Sequence, residues 1–247
     1  MAEVAALVGD PTRAIILDQL MGGRALTATE LALAAGVAAP TASGHLGKLV
    51  EAKLIAVLKQ GRHRYYRLAS PMVARMLEGI MEVAALEMPP RYRPRTPRDE
   101  ALCLARSCYD HLAGRLAVAI TDALIARGCI VLAEEGGTLT IAGENLIAEI
   151  GIDLDAIRTA SKRPVCRACL DWTERRPHLS GRLGAAIARR CFDLGWLARR
   201  REGRALTITD AGYDGLRRWI GIERQQLAVE AAATVRTPPV ATRSSAA

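Results

Sequence analysis

Residues 166–178 read CRACLDWTERRPH, a dense gathering of groups capable of chemistry. Cys166 and Cys169 stand at CxxC spacing, Trp172 offers a flat aromatic face, and Glu174, Arg175, Arg176 and His178 follow. Cys166, Cys169 and His178, completed by Cys191 or Asp171, would supply the donors of a tetrahedral metal site, which needs four ligands where a lone CxxC offers two. Arg163, Arg167, Arg175 and Arg176 would favour thiolate over thiol, the condition for redox sensing. Trp172 as a stacking face, with Glu174, Arg176 or His178 as polar anchors, would make an organic effector pocket. The structural alternative is that Trp172 packs a small domain, Glu174 and Arg175 pair on the surface, and the cysteines fill core space. Cys103, Cys108 and Cys129 lie in apolar patterns and read as core.

The elements that must position these groups are legible from composition and punctuation. The chain has 247 residues, half of them apolar, but a single Phe and a net charge of +8. Its cores must be built from Ala, Leu, Ile and Val, a composition that favours helices. There is no long apolar run for a membrane span and no signal-peptide pattern, so a cytoplasmic protein with reduced thiols and no membrane partner is expected. The positive charge permits a polyanionic partner. PPRYRPRTPR, at 89–98, holds four prolines and four arginines and reads as an extended linker. It separates a first module, 1–88, from a second, 99–222. Residues 223–247 fade into AAATVRTPPVATRSSAA and read as a disordered tail.

In the first module Asp10-Pro11 starts a helix and Gly22-Gly23 ends it. Thr29 precedes a short helix that stops at Gly36, and another runs from near Pro40 to about Lys53. LIAVLK and RYYRLA are strand-like and meet through Gln60-Gly61-Arg62-His63, and Ser70-Pro71 opens a last helix to about Met88. This is the order of a winged helix-turn-helix, in which a small helical core presents one helix to the major groove and a hairpin to the neighbouring backbone. The predicted fold class is mainly α with small β-hairpins: an N-terminal winged helix-turn-helix and a second α+β, winged-helix-like domain.

DPTRAIILDQL, TATELALAAGV and PTASGHLGKLVEAKLIAVLKQGRHRYYRL, over roughly residues 8–70, resemble the ArsR/SmtB family of bacterial regulators. The resemblance implies a homodimer on a palindromic double-stranded DNA operator, repressing until a small-molecule or metal effector binds. It also implies where metals usually bind. One such stretch reads Glu30-Leu31-Ala32-Leu33-Ala34 here, without sulfur, and the other, the last helix, has no histidine, so both usual sites look absent. Met72, Met76, Ile80, Met81 and Val83 on that helix read as a dimer seam. Cysteine-and-DWTERR stretches similar to residues 166–178 occur in the C-terminal extension of some longer ArsR-like regulators, which marks the extension as a family feature without naming its ligand.

On the recognition helix, Leu46, Leu49 and Val50 share the face expected to be buried. Thr41, Ala42, Ser43, Gly44, His45 and Lys48 fall mainly toward the other side and are the DNA-contact candidates, with Arg62, His63 and Arg64 at the wing. Helix capping for Thr41 and Ser43, a core or dimer place for His45, and a solvated turn for the wing are the plainer alternatives. Gly44 departs from the family, which often has a larger polar residue there. Gly44 and Gly47 together cost about 1–2 kcal/mol of helix propensity, a cost that close approach to DNA would explain.

In the second module GCIVLAEEGGTLTI, from Gly128, matches GWLARRREGRALTI, from Gly195, and each leads into a further helix. PHLSGRLGAA, from Pro177, also echoes PTASGHLGKL, from Pro40. The module therefore reads as one or two winged-helix-like units that sense a signal or brace the dimer. Arg199, Arg200, Arg201 and Arg204 surround its last hairpin, and Arg182, Arg189 and Arg190 lie on the preceding helix; all favour phosphate, whereas Glu134 and Glu135 oppose it. No glycine-rich phosphate loop, G-x-S-x-G or H-E-x-x-H occurs, so no enzyme is expected. The cofactor expectation is none certain, with a metal ion as the candidate. An effector-released homodimeric repressor is the leading reading. A metal- or redox-sensing regulator using Cys166/Cys169, and an adaptor without DNA binding, are the alternatives.

Overall fold

The computed structural model describes residues 1–61, 63–87, 97–133, 136–159, 163–201 and 203–228. The first module opens with α1 (Ala2–Val8) and α2 (Pro11–Leu20). Asp10 caps α2 by accepting from the Arg13 amide at 2.9 Å, and proline sits at the first helical position, where no N–H is needed. Arg13 then turns back: its Nε and Nη2 donate to the carbonyls of Leu7 and Ala6 at 2.6 and 2.9 Å, satisfying the end of α1. After β1 (Leu26–Thr27) come α3 (Ala28–Ala35) and α4 (Ala39–Glu51). The α3 cap is Thr27 rather than Thr29, because Thr27 forms a capping box with Glu30. Gly36 closes α3 in the left-handed region at φ 67°. Strands β2 (Ile55–Gln60) and β3 (His63–Leu68) pair antiparallel as the wing, and β1 adds to β3, giving the order β1-β3-β2. Helix α5 (Pro71–Glu87) follows.

The second module begins with α6 (Pro97–Leu104), so Pro97 and Arg98 of the expected linker are helical; residues 89–96 lie outside the described residues. Next come two copies of one unit. The first is the hairpin β4 (Arg106–Cys108) and β5 (His111–Ala113), helix α7 (Arg115–Ala126), the hairpin β6 (Ile130–Ala133) and β7 (Gly136–Leu139), and helix α8 (Ile141–Glu149), trailed by α9 (Leu154–Thr159). The second is β8 (Arg167–Leu170) and β9 (Pro177–Ser180), α10 (Gly181–Asp193), β10 (Leu197–Arg199) and β11 (Leu206–Ile208), and α11 (Asp210–Ile220). A short helix, α12 (Arg224–Leu227), closes the described chain; its Leu227 is buried, so the expected tail is ordered at least to residue 228.

Details of the two units coincide. Gly114 and Gly181 each start the first helix at φ 85°, and a Cβ on either would lie 2.6 Å from a carbonyl oxygen, of Cys103 and Val165 respectively. Thr140 and Thr209 each cap the second helix and also donate to a glycine carbonyl, Gly128 and Gly195, at 2.7 Å. The units also exchange edges: Arg106 bridges Ala205, and Cys166 bridges Gly137. The expected winged-helix-like rhythm is therefore a duplicated hairpin–helix–hairpin–helix.

Two cores result. One holds the second module, from Leu116, Ile120 and Leu124 to Trp219 and Leu227. The other holds the first module around Leu17, Leu31, Leu46 and Leu49, but it also takes in Cys108, Ala113 and Cys169 from the second. The modules are thus packed on one another. Tyr109 donates its amide to the Met21 carbonyl at 2.6 Å, and Arg204 pairs with Asp18 at 2.6 Å. Arg199 donates to the Gly22 carbonyl at 3.1 Å.

Candidate functional site

Two places carry functional groups. The first is the outer surface of α4 and the wing. On α4, Ala42, Leu46 and Leu49 are buried, since positions 42, 46 and 49 follow the helical repeat and form the stripe that faces α2 and α3. Ala42 is therefore core and not a surface candidate, while Val50 is only partly covered. Thr41, Ser43, Gly44 and Lys48 are exposed together. Among the described residues, a Cβ at Gly44 or Gly47 would meet nothing within 4 Å, so none of them requires glycine at either position. His45 is half-buried, with Nδ1 3.5 Å from Arg13 Nη1 and 3.7 Å from Asp10 Oδ1, which ties α4 to the start of α2. At the wing, His63 and Arg64 are exposed, and Arg62 lies outside the described residues.

The second place is a buried cluster at the junction of the modules. Cys108, His111, Cys169 and His178 bring one donor atom each within 4.8 Å of one another. In the β4–β5 register Cys108 faces His111, and in the β8–β9 register Cys169 faces His178. Each copy of the duplicated unit thus contributes one cross-strand Cys–His pair. The two Nε2 atoms meet 3.2 Å apart. Behind each imidazole stands a carboxylate: Asp110 Oδ1 is 3.3 Å from His111 Nδ1, and Asp171 Oδ2 is 3.3 Å from His178 Nδ1, the latter off the line of a good hydrogen bond.

Asp171 is fully buried and accepts from Arg106 Nη2 at 2.9 Å, from the Thr173 and Glu174 amides, and from the Gly114 amide at 2.6 Å. Burial alone would raise its pKa, but His178, Arg106 and Thr173 outweigh burial and hold it well below the carboxylate range. Cys108 is held well below the usual thiol value, chiefly by a hydrogen bond from Cys169 and then by His111. Burial opposes charge on His111, but the Cys108 thiolate and Asp110 outweigh it and raise His111 to about 9. Glu78 of α5, 3.4 Å from Cys108 Sγ, is pushed up to about 8, first by burial and then by Cys108.

This geometry redraws the site expected around residues 166–178. Cys166 and Cys169 lie three residues apart around β8, an odd separation in an extended strand, so their side chains leave on opposite faces. Cys169 turns toward the cluster, whereas Cys166 enters the core of the second module. Cys191 is in that same core on α10. Burial pushes the Cys166 thiol up to about 11 and Cys191 to about 12, so the nearby arginines do not activate them. Trp172, Arg176 and His178 do not converge either, and Glu174 accepts from the Thr173 hydroxyl at 3.3 Å. The Arg106 guanidinium stacks 4.4 Å from the Trp172 ring centroid, Arg176 pairs with Asp122 on the surface, and His178 is sealed in the cluster. Cys108 and His111, which sequence reasoning left in the core or unremarked, had a signal: R-x-C-x-D followed by H-L-x-G-R-L occurs at Arg106–Asp110 with His111–Leu116, and again at Arg167–Asp171 with His178–Leu183. The last-hairpin arginines are also redrawn. Arg199 and Arg204 are spent docking on the first module, leaving Arg200 and Arg201 exposed. Glu134 and Glu135 lie outside the described residues.

A cleft of about 400 Å³ opens beside the cluster between the modules, bordered by Arg24, Arg67, Asp110, His111, Arg189 and Arg199.

A helix-turn-helix domain family matches residues 8–57, spanning α2 through the first half of the first wing strand. A Bacillus subtilis protein described as the uncharacterized HTH-type transcriptional regulator YdfF is 38% identical over 216 residues, covering 86% of this chain and 93% of its own length. The chain belongs to the HTH-type transcriptional regulators. Its first module is a winged helix-turn-helix, with the matched helices followed by the β2–β3 wing. Among solved structures, the homodimeric winged helix-turn-helix DNA-binding domain of Mycobacterium bovis Mb0332, described as "a possible ArsR-family transcriptional regulator", is 29% identical. That match covers 38% of the regulator and 86% of the domain, with a TM-score of 0.34. The cadmium metal-sensor CMTR of Mycobacterium tuberculosis is 28% identical over 39% of the regulator and 97% of its own chain, with a TM-score of 0.30. Among the described residues, no helix of the regulator is long and apolar enough to cross a membrane.

Proposed function

We propose that the regulator acts as a homodimer that reads a two-fold operator in double-stranded DNA and represses until an effector reaches the C-terminal module. The observation that carries this reading is the exposed face of α4. Thr41 and Ser43 present hydroxyls there, Lys48 presents a cation, and Gly44 and Gly47 leave the helix bare where none of the described residues asks for it. Hydroxyls and cations on such a face suit phosphates and base edges, and bare backbone permits close approach. Arg64 extends the cationic surface along the wing beside the exposed His63, and Arg62 belongs to the same turn in sequence. The dimer reading is supported by α5, where Met72, Ile80 and Val83 are exposed and Met76 is half-covered, a stripe at helical spacing. Repression, effector release and a cytoplasmic setting accord with the family resemblance. The effector is expected to act through the extension, because its contacts at Met21, Gly22 and Asp18 hold the helix that precedes α3 and α4.

Fluorescence anisotropy with a duplex from upstream of the regulator's own gene, beside a scrambled duplex, tests the reading. Site-specific, salt-dependent binding by a dimer is expected, with Ser43→Ala narrowing the gap between the two duplexes. Equal affinity for both duplexes, or specific binding indifferent to Ser43 and Lys48, would refute it.

A further inference from the structure

We infer that Cys108, His111, Cys169 and His178 form a four-ligand site for a divalent cation of the zinc class, built on the pseudo-two-fold axis of the duplicated unit. This inference does not rest on the DNA-binding reading and is tested on the free protein. Each hairpin supplies one thiol and one imidazole from directly paired positions, so neither copy holds more than half of the site. Metal–sulfur bonds of about 2.3 Å and metal–nitrogen bonds of about 2.0–2.1 Å give a tetrahedron with edges of roughly 3.3–3.8 Å. The two Nε2 atoms are already 3.2 Å apart, and all four donors lie within 4.8 Å of one another.

The surroundings favour the same occupant. Asp110 stands behind Nδ1 of His111 in hydrogen-bond geometry, the arrangement that holds the proton there and aims the Nε2 lone pair inward, and Asp171 Oδ2 lies 3.3 Å from Nδ1 of His178, within reach of the same role after a small turn of the ring. Two bare lone pairs facing each other repel unless a cation, or a proton on one of them, sits between. Asp171 is itself fixed by Arg106, Thr173 and the Gly114 amide, so the carboxylate beside His178 Nδ1 is in place before any metal arrives. Two thiolates balance a dication, so the filled site adds no net charge to a buried place. Sulfur and imidazole donors select zinc-class ions over magnesium or calcium, which prefer oxygen. On binding, the site as a whole releases two protons to solvent, leaving both sulfurs as thiolates and both Nε2 atoms bare, and each of the four donors gains a bond to the metal. With all four positions taken by protein, the site would clamp the two hairpins together beneath α5, whose Glu78 touches Cys108.

The test uses the full chain, loaded with zinc, dialysed against metal-free buffer and analysed for metal per chain. About one equivalent is expected, retained in Cys166→Ala and Cys191→Ala and lost in Cys108→Ala and Cys169→Ala. Replacing zinc with cobalt(II) in the wild-type chain should give the intense visible bands of a tetrahedral ion with thiolate-to-metal charge transfer. A wild-type chain that keeps no metal, or one whose cobalt spectrum is weak and octahedral, would overturn the inference. So would metal retained by the Cys108 and Cys169 variants, or an intact mass showing a Cys108–Cys169 disulfide in protein prepared under reductant. The cobalt spectrum decides the matter even where a ligand variant fails to fold.

Discussion

The hairpins β4–β5 and β8–β9 begin from the same pattern, an arginine, a cysteine and an aspartate on alternate residues ahead of a histidine, yet they have different surroundings. In the first, only Tyr109 and Asp110 separate the strands, Asp110 is one-third exposed, and Arg163 pairs with it from outside. Tyr109 reaches the end of α2. In the second, residues 171–176 form a longer loop that folds Asp171 inward, where its side chain is 0% exposed and that of Arg106 is 1%. One copy has turned its tip toward the DNA-reading module, and the other has turned its tip into an internal brace. A duplicated unit can thus keep one geometry at its centre while its loops diverge.

The largest expected effect comes from that asymmetry. Asp171→Ala leaves Arg106 buried without its partner and should cost about 3–5 kcal/mol in denaturant unfolding. Asp110→Ala, at a partly solvated pair, should cost about 1 kcal/mol or less. Equal losses would erase the distinction between brace and tip. Gly114→Ala and Gly181→Ala test what the copies still share. Both residues sit at φ 85° with a carbonyl 2.6 Å from the would-be Cβ, so each should cost about 1–3 kcal/mol and the two should agree. A large gap between them would show that the copies have diverged at their centre as well.

The contact between modules is expected to be weaker. Asp18→Ala and Arg204→Ala, measured singly and together, should show a coupling of about 1 kcal/mol, because Asp18 is 37% exposed and water screens the pair. No coupling would mean that this pair adds nothing to the other contacts between the modules, those of Tyr109, Arg199 and the shared core. The smallest effect is at Gly44. Alanine there should stabilise the chain by about 0.5–1 kcal/mol through helix propensity while weakening binding to the operator. Unchanged DNA affinity would detach Gly44 from the proposed interface.

The first module was readable because its signals are local. Asp10-Pro11, the glycine stops and the alternating wing strands each act within a few residues, so the helix-turn-helix emerged with only small shifts, such as the cap at Thr27 in place of Thr29. Ala42 was misplaced because a helical face drifts by position, and a small residue says little about which side it takes. The CxxC spacing marks Cys166 and leaves Cys108 unmarked, since closeness along the chain is visible in a sequence and closeness across a duplicated fold is not.

The sequence by itself determined the winged helix-turn-helix, the rhythm of the second module and the residues available for chemistry, because helix caps, strand alternation and residue type act locally or not at all. Only the tertiary structure decided which of six cysteines meet histidines, that Arg204 serves Asp18 rather than phosphate, and that both modules share a core. Those choices depend on how strands pair and on which face a side chain leaves, and pairing between segments some sixty residues apart is settled by burial of the whole core rather than by any neighbour in the chain.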